Sequence, residues 1–297
     1  MLKVVLPRVL FENAWMDIPT EQPQIDFLMP SCQKDSNPET QLDSYMLRIS
    51  ISAGKTKIVY PAENSEDIVL FFKDDVTAGD GQKRAVLAGK GRINASVTAK
   101  LFRILEDGGL RTHFIRQLNP NELLVKRLEM IPIEVVCRLL AAGHIIGLGK
   151  YFQHREKLKA PIVEFYLKDD SLHDPLVNHH HIKALGLATS EELFEIESTT
   201  IAAGKILQEF FEKKDILLVD FKLEFGRDKS DRILIGDELG PDSMRLWDKS
   251  TYEILDKDRF RKDLPNVFEL AYQEPFRRIC CDDYVPSSSC HRKQASG

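Results

Sequence analysis

No run of about 18 consecutive apolar residues occurs in the chain, so a membrane-spanning helix is not expected. Cysteine is sparse and odd in number. Cys32, Cys137, Cys280, Cys281 and Cys290 follow no regular spacing, which argues against a disulfide framework. An excess of positive charge is also missing. The formal net charge is -5, so broad nucleic-acid binding is not expected. The opening residues are briefly apolar, but Pro7 and Arg8 interrupt them, and Glu12, Asp17 and Glu21 follow. A cleaved leader or transit peptide is therefore not expected. From these absences a cytoplasmic protein is expected.

What is present suits a folded core. Apolar residues make up 43% of the 297 and charged residues 29%, near the globular average. Residues 1–44 read as an extension and linker, polar from 30 to 44. Residues 45–130 read as a smaller, β-rich part. Residues 131–279 mix strands and helices, and 280–297 form a polar tail. Cys280, Cys281, Cys290 and His291 resemble a metal set, but a frayed terminus is the preferred reading.

Strands are expected at 46–51, 54–60, 68–72, 113–118, 122–129 and 133–140. A helix is expected over 93–107, with Asn94 near its cap, and others over 190–213 and 267–279. Strands followed by mixed elements give an α+β fold with two lobes.

Four features carry chemistry. In Gly54-Lys55-Thr56-Lys57, a glycine between strands lets the backbone approach a phosphate, and two lysines add charge. It is not a P-loop, and a solvated hairpin is the plain alternative. In Asp220-Phe221-Lys222-Leu223-Glu224, alternation puts three charges on one face and apolar side chains on the other. Charges on a covered face need a ligand, a metal or one another. After the polar turn, Gly236-Asp237-Glu238 returns Asp237 toward Glu224, and two converging carboxylates suit magnesium. Finally, Arg138, Arg245, Arg259 and Arg261 are fork-shaped donors for phosphate or carboxylate. Lys168, Asp170 and Asp174 lie on a polar loop. His179-His180-His181 lacks ligand spacing, so a solvated loop is preferred.

Taken together these stretches resemble SAICAR synthetase. Ile131-Pro132-Ile133-Glu134-Val135-Val136-Cys137-Arg138 resembles one signature of that family, and Leu218-Val219-Asp220-Phe221-Lys222-Leu223-Glu224-Phe225-Gly226 resembles the other. Gly54-Lys55-Thr56-Lys57, Gly89-Lys90-Gly91, Arg245-Leu246-Trp247-Asp248 and Asp256-Lys257-Asp258-Arg259-Phe260-Arg261 recur in the family's order. The resemblance implies a two-lobed fold related to ATP-grasp enzymes and kinases. Residues 45–130 would be the ATP lobe and 131–279 the substrate and metal lobe.

It implies an ADP-forming ligase that joins L-aspartate to carboxyaminoimidazole ribotide through an acyl phosphate, with ATP and Mg2+. Gly54, Lys55 and Lys57 would meet the nucleotide phosphates. The segment 126–130, bounded by Lys126 and Met130, would hold adenine. Glu224 and Asp237 would bind the metal. Lys57, Asp220 and Lys222 would be catalytic. Glu134, Arg138, Arg245 and Arg261 would bind the ribotide acid, and Lys168, Asp170 and Asp174 the aspartate. The first signature departs at Leu140, where arginine is frequent, and at His144, where a phosphate-holding serine is expected. His144 is thus a candidate for the acid substrate. An amide ligase for a different acid or amine, or a non-catalytic nucleotide-binding relative, are the alternatives. Partners are small molecules; self-association stays open.

Overall fold

The computed structural model describes residues 49–63, 66–79 and 81–281. In chain order it holds β1 (Ser52–Ala53), β2 (Lys57–Pro61), β3 (Asp67–Phe72), β4 (Asp75–Ala78), β5 (Lys83–Val86), α1 (Lys90–Asp107), β6 (Phe114–Asn119) and β7 (Glu122–Lys126). Next come β8 (Glu129–Leu140), a 3-10 stretch (Gly143–Tyr151), β9 (Lys157–Leu167), β10 (Leu176–Val177), α2 (His179–Ala184) and α3 (Ser190–Glu212). The last are β11 (Ile216–Arg227), β12 (Ile233–Gly236), β13 (Met244–Asp248), α4 (Asp258–Arg261) and α5 (Glu274–Cys280). The architecture is α+β, as expected. The expected extension, the first half of the strand at 46–51 and the tail beyond Cys281 lie outside the described residues. Ile49 to Ile51 are not in a strand.

One antiparallel sheet has the order β1-β2-β3-β7-β6, and β4 pairs with β5 apart from it. Lys57 and Gly54 close the first turn, the Gly54 amide donating to the Lys57 carbonyl at 2.8 Å. The second sheet runs β10-β9-β8-β11-β12, with β13 also on β11. β8 covers one edge of β11. The other edge is shared: β12 takes Glu224 to Arg227, and β13 takes Ile216 to Phe221. The chain between β12 and β13 therefore passes the middle of β11, where the Lys222 amide donates to Ser243 at 2.8 Å.

Hydrophobic alternation explains β11. Val219, Phe221, Leu223 and Phe225 are all fully buried. α3 covers this face with Leu193, Ile196, Ala203, Leu207 and Phe211. Its start is a reciprocal cap: Thr189 Oγ1 accepts from the Glu192 amide, and Glu192 accepts from the Thr189 amide.

α1 starts three residues earlier than the sequence suggested. Its first amides are satisfied from a distance, because Asp74 accepts from Gly89 and Gly91 at 3.0 and 2.9 Å. Asn94 is no cap; it is buried inside the helix and donates to Asp242 at 2.8 Å. The three histidines also form no loop. They are the first turn of α2, capped by Asn178.

Candidate active site

The β1–β2 turn brings Gly54, Lys55 and Lys57 to a cleft of about 880 Å³. β8 adds Glu134 and Arg138, and β11 adds Asp220, Lys222 and Glu224. The chain after β12 adds Asp237, Glu238 and Asp242, β13 adds Arg245, and the α4 region adds Lys257 and Arg261. Lys168, Asp170 and Asp174 close one side. The structure thus gathers residues spread over more than 200 positions into one cavity. Among the described residues no helix is long and apolar enough to cross a membrane.

One end of the cleft combines ammonium groups and carboxylates. Lys57 Nζ lies 2.7 Å from Asp237 and 2.8 Å from Glu238. Lys222 lies 2.7 Å from both Glu134 and Glu224, and Lys168 takes the other Glu224 oxygen. Lys55 reaches Asp170 at 2.8 Å. Burial opposes the charge on Lys57, but Asp237 and Glu238 outweigh it and hold the ammonium above its usual range. Lys222 is held well above its range in the same way, burial being outweighed by Glu224 and Glu134. Burial opposes ionisation of Asp237, yet Lys57, Lys222 and Lys168 hold its carboxyl far below the ordinary value.

Asp237 has a left-handed backbone, φ 58°. His113 lies behind it, its Nε2 3.2 Å from the Asp237 carbonyl. A carbonyl only accepts, so that nitrogen carries the proton. Burial keeps the ring neutral, with its pKa down at about 4.

Whether the site suits a divalent cation follows from its donors. Among the described residues no three His, Cys, Asp or Glu side chains cluster as a metal cage. Glu224 pairs with Gly236 across β11 and β12, so Asp237 follows directly from its cross-strand neighbour. Two carboxylates without a full cage fit magnesium, which takes one or two protein oxygens and completes its shell with phosphates and water.

The other end is an arginine relay. Asp220 accepts from Arg138 Nη1 at 2.9 Å and from Arg245 Nη1 at 2.7 Å. Arg138 also donates to Glu164 at 2.8 Å, and Arg245 to Asp258 at 3.0 Å. Arg261 reaches the other Asp258 oxygen at 2.6 Å. Burial opposes the charge on Arg245, but Asp220 and Asp258 hold the guanidinium above its usual range. Burial opposes ionisation of Asp258 as well; Arg245 and Arg261 bring it down to about 2.

His144 joins this end through Arg138. Arg138 Nη2, a donor, lies 3.0 Å from His144 Nδ1, which therefore accepts. The ring proton is then on Nε2, 3.2 Å from Glu164. Burial pushes the Tyr166 hydroxyl, which donates to Glu164 at 2.9 Å, up to about 12.

Not every expected residue lines the cavity. Lys126 and Met130 do not; Leu128 and Met130 instead lie over Gly226 and Gly236, where a Cβ would meet them. His144 is a neighbour of the lining rather than part of it. Conversely, Glu238, Asp242, Tyr166 and Lys257 line the cleft, and Glu164 supports it, although sequence reasoning gave none of them a role. Glu164 and Tyr166 had a signal: they sit two apart on β9, directly across from Val136 and Glu134 and on the same face of the sheet.

The sequence profile of the SAICAR synthetase family matches residues 50–279. The phosphoribosylaminoimidazole-succinocarboxamide synthase of Methanobrevibacter smithii is 45% identical over 234 residues, covering 78% of this chain and 96% of its own. A solved SAICAR synthetase in complex with ADP superposes with a TM-score of 0.75 at 41% identity, covering 79% of this chain and 99% of that one. The crystal structure of the Ehrlichia chaffeensis synthase also gives 0.75, at 40% identity and with 80% and 99% covered. By sequence and by fold, over nearly the full length of its relatives, the chain belongs to the SAICAR synthetase family.

Proposed function

We propose that this chain is an ADP-forming ligase that joins L-aspartate to the carboxylate of carboxyaminoimidazole ribotide, the step that yields SAICAR in purine biosynthesis. The observation that carries this reading is the meeting of Lys57, Lys222, Glu224 and Asp237 in one cleft. The family relationship and the ADP complex of a relative support it.

The chemistry needs an activated acid. A carboxylate has no adequate leaving group, so ATP first transfers its terminal phosphoryl group to it. The transition state spreads charge over phosphoryl oxygens, and fixed cations stabilise it. Lys55 and Lys57 meet the nucleotide phosphates, with the Gly54 turn giving the backbone close approach. Lys222 faces the reacting group, and Asp220 orients Arg138 and Arg245. Glu224 and Asp237 would hold Mg2+, which supplies charge neutralisation when bound.

The guanidiniums of Arg138, Arg245 and Arg261, with His144 beside Arg138 and with Glu134 reaching in from the Lys222 end, hold the ribotide acid. Lys168, Asp170 and Asp174 serve the aspartate. Residues 126–130, outside the cleft lining but with Met130 over Gly236 next to Asp237, would hold adenine at its edge. An imidazole N–H can replace a serine hydroxyl as hydrogen-bond donor to phosphate.

The test is ADP release measured with ATP, the ribotide and aspartate. Release that needs both co-substrates is expected. Release only with some other acid would redirect the assignment, and tight ATP binding with no turnover under any acid would end it.

A further inference from the structure

Five lysines line the cleft: Lys55, Lys57, Lys168, Lys222 and Lys257. The first four each have a carboxylate within 2.8 Å. Among the described residues, Lys257 has no carboxylate oxygen within 4.0 Å of its ammonium nitrogen. Its surroundings explain this, because each nearby acid is already engaged. Asp242 is held by Lys90 at 2.6 Å, Asn94 at 2.8 Å and the Tyr272 hydroxyl at 2.8 Å. Asp258 is held by Arg245 and Arg261, and Glu238 by Lys57. Asp256 turns inward, accepting from the amides of Leu246 and Asp258.

Two cations, Arg261 on α4, the helix that Lys257 precedes, and Lys90 at the start of α1, add repulsion. Partial burial and these cations hold the Lys257 amine below the usual lysine range, against the pull of Asp242 and Glu238. The backbone is fixed where it matters: the Lys257 amide donates to Pro241, in the same connection that carries Asp237.

We infer that Lys257 is the general base of the second half-reaction, taking a proton from the aspartate ammonium so that its nitrogen can attack the acyl phosphate. The inference rests on the amide-ligase reading above. The other candidates are poorly placed for the task. Lys57 and Lys222 are held protonated by their carboxylates, Asp237 and Asp258 are held ionised and are weak bases, and His113 is buried behind the metal pair. One N–H proton moves from aspartate to Lys257 Nζ. The freed lone pair forms the C–N bond, and the C–O bond to phosphate breaks with its electron pair on oxygen. The second proton leaves on that phosphate, and Lys257 returns its own to water.

An unpaired cleft lysine could instead be a simple anion clamp, so the experiment separates the two. Lys257→Ala and Lys257→Arg are assayed for ADP release with aspartate and with hydroxylamine, a nucleophile already unprotonated at neutral pH. For Lys257→Ala the expected loss is about 10²–10⁴-fold with aspartate, and far less with hydroxylamine. Small alkylamines should restore aspartate turnover, more so as their basicity rises, which also shows that the variant is folded. Lys257→Arg should stay impaired. Full activity of Lys257→Arg, or equal losses with both nucleophiles, overturns the role in favour of binding. If the wild type releases ADP with neither nucleophile, the ligase reading fails first and takes this inference with it.

Discussion

Lys57 on β2 and Asp237 after β12 meet at 2.7 Å, tying the glycine hairpin of the first sheet to the far end of the second. Replacing Lys57 by Met would leave Asp237 and Glu238 side by side without their cation. ADP release should fall by about 10²–10³-fold, the usual effect of removing one preorganised charge at a transition state. Lys57→Met with wild-type kcat/KM for ATP would remove the residue from the phosphate site.

Glu224 and Asp237 are proposed as the magnesium carboxylates. Glu224→Ala and Asp237→Ala should each abolish magnesium-dependent turnover, with circular dichroism spectra like the wild type. Normal magnesium titrations in both variants would dismiss the assignment.

The Asp220 carboxylate sits between two guanidiniums and is almost inaccessible. Removing one member of a buried ionic cluster strands the others, at a cost of about 3–5 kcal/mol. Asp220→Ala should lower unfolding free energy in urea by that order and weaken ribotide binding. A variant as stable as the wild type would show that Arg138 and Arg245 do not depend on it.

His113 predicts a pH dependence with a definite sign. Its pKa in the fold, about 4, lies below the ordinary 6.5. The fold therefore favours the neutral ring. That stability is present above the ordinary value and is lost as pH falls from 6.5 through 4. The full shift is worth about 3 kcal/mol at most. On moving from neutral to acid pH, urea midpoints of the wild type should drop more than those of His113→Gln. Equal drops would mean the ring is not held neutral.

The start of α1 lies against the first sheet. A Cβ at Gly91 would stand 2.2 Å from the Phe72 carbonyl oxygen. Backbone cannot yield there as a flexible side chain would. Gly91→Ala should cost about 3 kcal/mol by urea denaturation; a loss below about 1 kcal/mol would contradict so close an approach.

How much of this could be read in advance follows the range of the interactions. The alternation of β11 and the turn at Gly54 are local patterns, and both appear in the fold. The α1 start is set by Asp74, a residue outside the helix, so Asn94 looked like a cap that it is not. β9 contains Pro161, which weakens a strand signal; the proline falls where the β8–β9 register slips between Arg138 and Leu140. The three histidines look unlike a helix start until the Asn178 cap is recognised. Lys257 was legible only as part of a motif. Its isolation depends on where Asp242, Asp256 and Asp258 point, which no spacing in the chain records.

The central claim is that ATP phosphorylates the acid before the amine attacks. It is tested most directly by labelling the ribotide carboxylate with heavy oxygen and following the product phosphate by phosphorus NMR. The account predicts one labelled oxygen transferred to each inorganic phosphate released. Phosphate free of label, with amide still formed, would contradict it.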